Sequence, residues 1–88
     1  MVNLAEILVQ VAAERQAQDA KWGEQNHAPD TWVAVLTEEV GEYAQAALHW
    51  RFGGPEGQNL RAELVQVAAV AVAIIECCDR NHWLGLSP

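Results

Sequence analysis

Cysteine is scarce in this 88-residue chain, which contains only the adjacent pair Cys77 and Cys78. Neighbouring cysteines rarely form a disulfide because the required geometry is strained. No CxxC pair is present to bind a metal ion. A disulfide framework is therefore excluded, and two reduced thiols at a helix end are typical of an intracellular, cytoplasmic protein.

Positive charge is scarce as well, with five Lys and Arg residues against twelve Asp and Glu residues and a formal net charge of −7. This balance argues against nucleic acid or an anionic membrane as a partner. A phosphorylated small molecule stays compatible if a cation lies between the two negative parties. The N-terminal residues 1–16 lack a basic segment before their apolar residues and contain Glu6 and Glu14, so we expect neither a signal peptide nor a transmembrane span.

What the chain does contain is helical periodicity. Apolar residues at three- and four-residue spacing predict helices over roughly residues 4–21, 31–50 and 60–81. The residues expected to cap their N-termini are Asn3, Asp30 and Asn59. Polar stretches with glycine and proline predict two loops between the helices. We expect an all-α fold, a small helical bundle of three main helices that forms one domain over residues 1–88.

The third predicted helix is apolar on every side, since residues 64–75 include one polar residue, Gln66. Such a helix has to be buried all round, and two other helices can hardly cover it. We therefore expect a second subunit to complete the bundle, as a homodimer or homotetramer. Three tryptophans are expected to cover the core or an interface, namely Trp32, Trp50 and Trp83.

The stretch LTEEVGEYAQAAL, residues 36–48, places Glu38, Glu39 and Glu42 within five residues. At 100° per residue, Glu38 and Glu42 lie about 40° apart around a helix and Glu39 and Glu42 about 60° apart. Such crowding disfavours ionisation unless a positive charge compensates. Gly41 costs a helix interior roughly 1 kcal/mol relative to alanine, which is easier to understand if a backbone or ligand approaches it closely.

The third helix supplies Glu63 near its start and Gln66 one turn later. Since a short loop lets the second and third helices pack antiparallel, oxygen ligands from both can surround a hard cation such as Mg²⁺. A diiron site is a poorer match, because no histidine follows Glu39 or Glu63 at the Glu-x-x-His spacing. The alternative interpretation of the three glutamates on the second helix is a solvated helix face.

Three segments together resemble a known family: EEVGE at 38–42, ELVQ at 63–66 and ERQAQDAKWGEQNH at 14–27. The chain resembles the all-α nucleotide pyrophosphohydrolases, the MazG-like group, over roughly residues 10–80. The resemblance implies hydrolysis of a nucleoside or deoxynucleoside triphosphate to its monophosphate and pyrophosphate. It also implies Mg²⁺ as cofactor, with Mn²⁺ as the alternative ion.

The resemblance further implies roles for individual residues. Glu39, Glu42 and Glu63 become metal ligands, and Glu38 becomes a further ligand or the base that orients the attacking water. Gln66 departs from the family pattern, which normally has Asp there. Its carbonyl oxygen can still coordinate, with weaker binding of Mg²⁺ expected, and a buried hydrogen bond between helices is the alternative role.

The residues that would contact the nucleotide are less clearly indicated by the sequence than the metal ligands. Candidate phosphate contacts are Arg15, Lys21 and Arg51, each of which is also interpretable as a surface charge. Trp22 lies in the first loop beside Gln25 and Asn26, and an aromatic face with amide groups can hold a base. Plain packing is the alternative for Trp22.

Two other functional classes stay open at this point. Gln66 is compatible with a catalytically weak or inactive relative that binds nucleotides without cleaving them. The apolar third helix is compatible with a structural helical oligomerisation module.

Overall fold

The computed structural model describes residues 3–82 as three α-helices. They are α1 (Leu4–Trp22), α2 (Pro29–Phe52) and α3 (Leu60–Asn81), with one turn of 3₁₀ helix, Gly57–Asn59, before α3. No strand occurs between residues 3 and 82, so the predicted all-α class is confirmed.

The first helix starts and ends for the local reasons expected. Asn3 caps α1, since its Oδ1 accepts a hydrogen bond of 2.9 Å from the backbone N–H of Glu6. Gly23 ends the helix at a φ of 74°, and its N–H donates to the carbonyl of Asp19 at 2.8 Å. Glycine adopts this backbone conformation at little cost.

The start of α2 corrects one prediction. Asp30 is not the cap, because α2 begins at Pro29 with Ala28 in the capping position. Proline is favoured at the first helical position, where its fixed φ suits the helix and its missing N–H is not needed. Asp30 instead lies in the first turn, where its negative charge complements the helix dipole.

Asn59 stands at the predicted N-cap position of α3, but its side chain does not cap the helix. Its Nδ2 donates to Glu56 Oε2 at 2.8 Å, back into the connection. The 3₁₀ turn that Asn59 ends leads directly into α3. The predicted range of α3 is therefore confirmed, with a different start signal.

The third helix is central to the fold. It packs against both α1 and α2, whereas within residues 3–82 no Cα atom of α1 lies within 8 Å of one in α2. The buried apolar side chains lie on all three helices: Val11, Trp32, Ala46, Ala69, Val70 and Cys77. A cleft with α3 as its floor is left between α1 and α2.

Large apolar side chains also remain exposed in the single chain. On α3 these are Leu64, Val72 and Ile75, so the chain does not cover α3 on every side. Trp32 is buried, as expected of a tryptophan that covers the core. In the single chain 67% of Trp50 is exposed, so its place at an interface stays a prediction, and Trp83 lies outside the described residues.

Two further points concern α2 and the helices as a group. Outside its own helix backbone, a Cβ added at Gly41 would meet no atom of residues 3–82 within 4 Å, so the close approach expected there is not made within the described part of the chain. Among residues 3–82, no helix combines the length and hydropathy needed to cross a membrane.

Candidate active site

The cleft between α1 and α2 has a volume of about 760 Å³ and is lined by all three helices and the first loop. Pockets for small ligands typically measure about 300–1,000 Å³. One end of the cleft is lined by carboxylates of α2 and α3. The other is lined by the last turns of α1, the loop 23–28 and the last turns of α3.

Three glutamates meet at the first end, which we call the carboxylate end. One carboxylate oxygen from each of Glu39, Glu42 and Glu63 lies within 4.8 Å of those from the other two. Glu39 and Glu42 are one turn apart on α2, and Glu63 lies in the first turn of the neighbouring α3. The helical spacing and the short connection therefore bring together the three side chains that the sequence singled out.

Burial and the charge of neighbouring carboxylates both raise pKa values at this end. Partial burial raises the pKa of Glu39 above its ordinary value, and the neighbouring carboxylates add to the increase, Glu42 foremost. Burial also raises the pKa of Glu63, again reinforced by Glu42. Both effects disfavour the ionised form, and a bound cation would favour it.

Besides its raised pKa, Glu39 has a buried carboxylate oxygen without a hydrogen-bond partner among the described residues. Its Oε2 is buried, and no hydrogen-bond donor within residues 3–82 reaches it. Buried polar atoms normally have a partner, since an unpaired one costs free energy. An all-oxygen donor set with such an atom fits a hard divalent cation such as Mg²⁺.

Two other predicted residues line the cleft beside these carboxylates. Glu38 is exposed, and Gln66 is half-buried one turn beyond Glu63 on α3. Their positions are compatible with the roles proposed from the sequence. The roles themselves stay predictions.

The opposite end, which we call the loop end, contains Lys21, Trp22 and Gln25. The Lys21 Nζ lies 4.9 Å from the ring centroid of Trp22, which is 63% exposed. Gln25 is half-buried, and its backbone carbonyl accepts a hydrogen bond from Arg80. An accessible aromatic face beside an ammonium group and an amide is therefore present at the cleft.

Arg15 lies at the loop end but is already engaged in ion pairs. Its Nε donates to Glu76 Oε1 at 2.7 Å and its Nη2 to Asp19 Oδ1 at 3.0 Å. Nη1 donates to Gln18 Oε1 at 3.2 Å. This geometry favours a tie between α1 and α3 over the predicted phosphate contact.

The structure does not bring Arg51 to this cleft. It lies near the end of α2, with its guanidinium carbon 5.7 Å from the ring centroid of Phe52. A phosphate contact by Arg51 therefore has no support from the geometry of residues 3–82.

Sequence reasoning missed several contacts at the loop end. Glu76, an exposed residue near the end of α3, pairs with Arg15. Asn26 and Arg80 bond to each other, and His27 packs edge-on against Trp32 with ring centroids 4.8 Å apart. The available signal was the i, i+4 spacing of Glu76 and Arg80, which puts two opposite charges on one side of α3.

Comparison with protein-family models, with curated proteins and with solved structures finds no match to this chain.

Proposed function

We propose that this chain is a Mg²⁺-dependent nucleotide pyrophosphohydrolase of the MazG-like kind. It would convert nucleoside or deoxynucleoside triphosphates to monophosphates and pyrophosphate, in the cytoplasm. The observation that carries the proposal is the convergence of Glu39, Glu42 and Glu63, with a buried and unpartnered oxygen on Glu39, in a cleft of ligand size.

The carboxylate end provides the residues that would hold the ion. Glu39, Glu42 and Glu63 supply carboxylate oxygens, and Gln66 supplies its amide oxygen. Bound Mg²⁺, or Mn²⁺ in its place, supplies positive charge for the phosphate oxygens and makes a nearby water more acidic.

The chain's own residues divide the remaining work. Glu38 accepts the proton from the attacking water, whose oxygen bonds to phosphorus as the α–β phosphoanhydride bond breaks and pyrophosphate leaves. Among the basic residues that line the cleft, Lys21 is the best candidate for a phosphate contact. It has no carboxylate partner within 4.0 Å among the described residues, whereas Arg15 and Arg80 do. The Trp22 ring and the Gln25 amide provide a stacking face and polar groups for the base.

The proposal includes a homo-oligomer, a dimer or tetramer. All three helices expose large apolar side chains in the single chain, including Leu8 on α1, Val40 on α2 and Ile75 on α3. A second copy packed on these faces would remove that surface from water.

A nucleotide panel tests the proposal. Each NTP and dNTP is incubated with the protein and Mg²⁺, and released pyrophosphate is measured, with matched reactions containing a chelator. We expect Mg²⁺-dependent release from at least one nucleotide. Absence of release from every nucleotide by folded protein would contradict the enzymatic proposal.

Gln66 favours a second candidate, a relative that binds nucleotides without cleaving them. An amide in place of a carboxylate removes one negative charge from the set that holds the ion. Calorimetry would then detect nucleotide binding in the presence of Mg²⁺ without product. A purely structural module would show neither binding nor any rise in melting temperature with Mg²⁺ and nucleotide.

A further inference from the structure

Asn26 is the centre of a hydrogen-bond network that joins the first loop to the end of α3. Its Oδ1 accepts from Nε and Nη2 of Arg80, both at 3.2 Å, and from Nδ2 of Asn81 at 3.0 Å. Nη2 of Arg80 also donates to the carbonyl of Gln25 at 3.1 Å. One guanidinium therefore grips a side chain and a backbone carbonyl of the same loop.

Other contacts close this network on the loop side. Nδ2 of Asn26 donates to Glu24 Oε2 at 3.0 Å, and that oxygen lies 3.6 Å from Nε of Arg80. The buried Cys77 brings its Sγ within 3.7 Å of the His27 carbonyl. The loop 23–28 is thus attached to α3 at several successive residues.

The attachment of the loop to α3 matters for the shape of the cleft, because α1 and α2 do not pack together within the described part of the chain. The distance between them at the loop end depends on how each is held by α3. Glu76 holds Arg15 of α1, and Arg80, one turn later, holds the loop. Together these contacts determine where the end of α1 and the loop 23–28 lie over the cleft.

We propose that Asn26 and Arg80 are positioning residues, which hold the loop 23–28 against α3 and so keep Trp22 and Gln25 at the mouth of the cleft. Their part in binding the nucleotide base rests on the proposed function. They act through the loop and not on the reacting phosphate, which belongs to the carboxylate end. Loss of the network would weaken nucleotide binding, because the loop would then have to be ordered as the nucleotide binds.

Two variants test this from opposite sides of the contact: Arg80→Gln on α3 and Asn26→Ser on the loop. Amide hydrogen exchange is measured first, without nucleotide. We expect faster exchange in residues 22–28 and unchanged exchange in the helical segment around Glu39 and Glu42. Unchanged exchange in the loop of a folded variant would overturn the proposal, and if one variant fails to fold the other decides.

Kinetics provide the second measurement. Arg80→Gln should raise the KM for the best nucleotide by roughly five- to tenfold and leave kcat and the Mg²⁺ requirement near wild type. A fall in kcat at unchanged KM would overturn the positioning role. If the wild type cleaves no nucleotide, the proposed function fails, and the exchange measurement still decides whether the network holds the loop.

Two controls separate geometry from charge. Arg61→Gln makes the same change at the exposed start of α3, and its KM should stay near wild type. Arg80→Lys keeps the charge but loses the guanidinium fork, so its KM should remain raised. A KM restored by lysine, or raised equally by Arg61→Gln, would show that charge alone matters and would overturn the assignment.

Discussion

The two ends of the cleft differ in how their charged side chains are paired. At the loop end each arginine faces acceptors: Arg15 pairs with Glu76 and Asp19, and Arg80 with Glu24 and Asn26. At the carboxylate end, glutamates face one another within 4.8 Å. Both ends share α3 and line the same cleft.

The difference separates residues that hold the fold from residues that oppose it. Paired charges at the loop end tie α1 and the loop to α3, so they contribute to stability without any ligand. Burial of ionised carboxyls, together with the charge of their neighbours, raises the free energy of the folded chain, as the raised pKa values of Glu39 and Glu63 indicate. Unfavourable local arrangements of this kind are typical of functional sites.

The largest expected effect comes from Glu39→Gln, which removes one charge from the carboxylate end. Mg²⁺-dependent pyrophosphate release should fall more than about 100-fold, since the proposed metal site would lose a ligand. The melting temperature without Mg²⁺ should be somewhat higher than that of wild type at pH 7. Glu6→Gln, the same change in the exposed first turn of α1, is the control and should keep full activity. Normal turnover in Glu39→Gln would show that the ligand assignment is wrong.

At the loop end, Arg15→Gln should destabilise the fold by about 1–2 kcal/mol, because it removes hydrogen-bonded ion pairs with Glu76 and Asp19. The low end of this range is expected, since both acids are about half exposed. Urea denaturation measures the change. The free energy of unfolding of Arg61→Gln should stay within about 0.5 kcal/mol of wild type. Equal losses of stability in the two variants would show that the ion pairs of Arg15 do not stabilise the loop end.

A smaller change is expected from Gln66→Asp, which adds a carboxylate beside Glu63. The Mg²⁺ concentration that gives half-maximal activity should fall by roughly three- to tenfold, since an ion in the proposed site would gain a charged ligand. The metal-free protein should melt lower because repulsion increases. Gln10→Asp on the exposed face of α1 controls for the helix propensity of aspartate. An unchanged Mg²⁺ requirement would place Gln66 outside the metal site.

The smallest effect is a pH dependence of stability. A carboxyl whose pKa is raised in the folded state favours folding below its ordinary value, 4.5 for Glu39, and loses that contribution as pH rises through the raised pKa. Without Mg²⁺, Glu39→Gln should therefore melt a few degrees above wild type at pH 7. The difference should shrink toward pH 4.5, and melting curves of both proteins across this range measure it. A constant difference would contradict the raised pKa of Glu39.

Much of the local structure was predictable because it depends on near neighbours. Asn3 caps α1 as expected, and the predicted range of α3 is confirmed. The error at Asp30 was also local, since proline at the first helical position outweighed a good capping residue. The convergence of Glu42 with Glu63 followed from helical spacing and a short connection, which leave few ways to pack α2 on α3.

The loop end was not predictable in the same way. Arg15 and Glu76 are 61 residues apart, and Asn26 and Arg80 are 54 apart. Different ways of packing the helices would bring different acidic residues next to each arginine. The residue types alone therefore did not identify the partner. Arg15 was therefore expected to bind phosphate, whereas its donors are used within the fold.

The amino-acid sequence by itself determined the three helices and the sector of α2 on which the acidic residues lie, because both follow from backbone geometry over a few residues. Only the tertiary structure decided that α1 and α2 both pack on α3 and not on each other, that a cleft results, and that the arginines are paired there while the glutamates are not. Those outcomes depend on which side chains meet across long sequence separations, where burial and electrostatics act on the packed helices together.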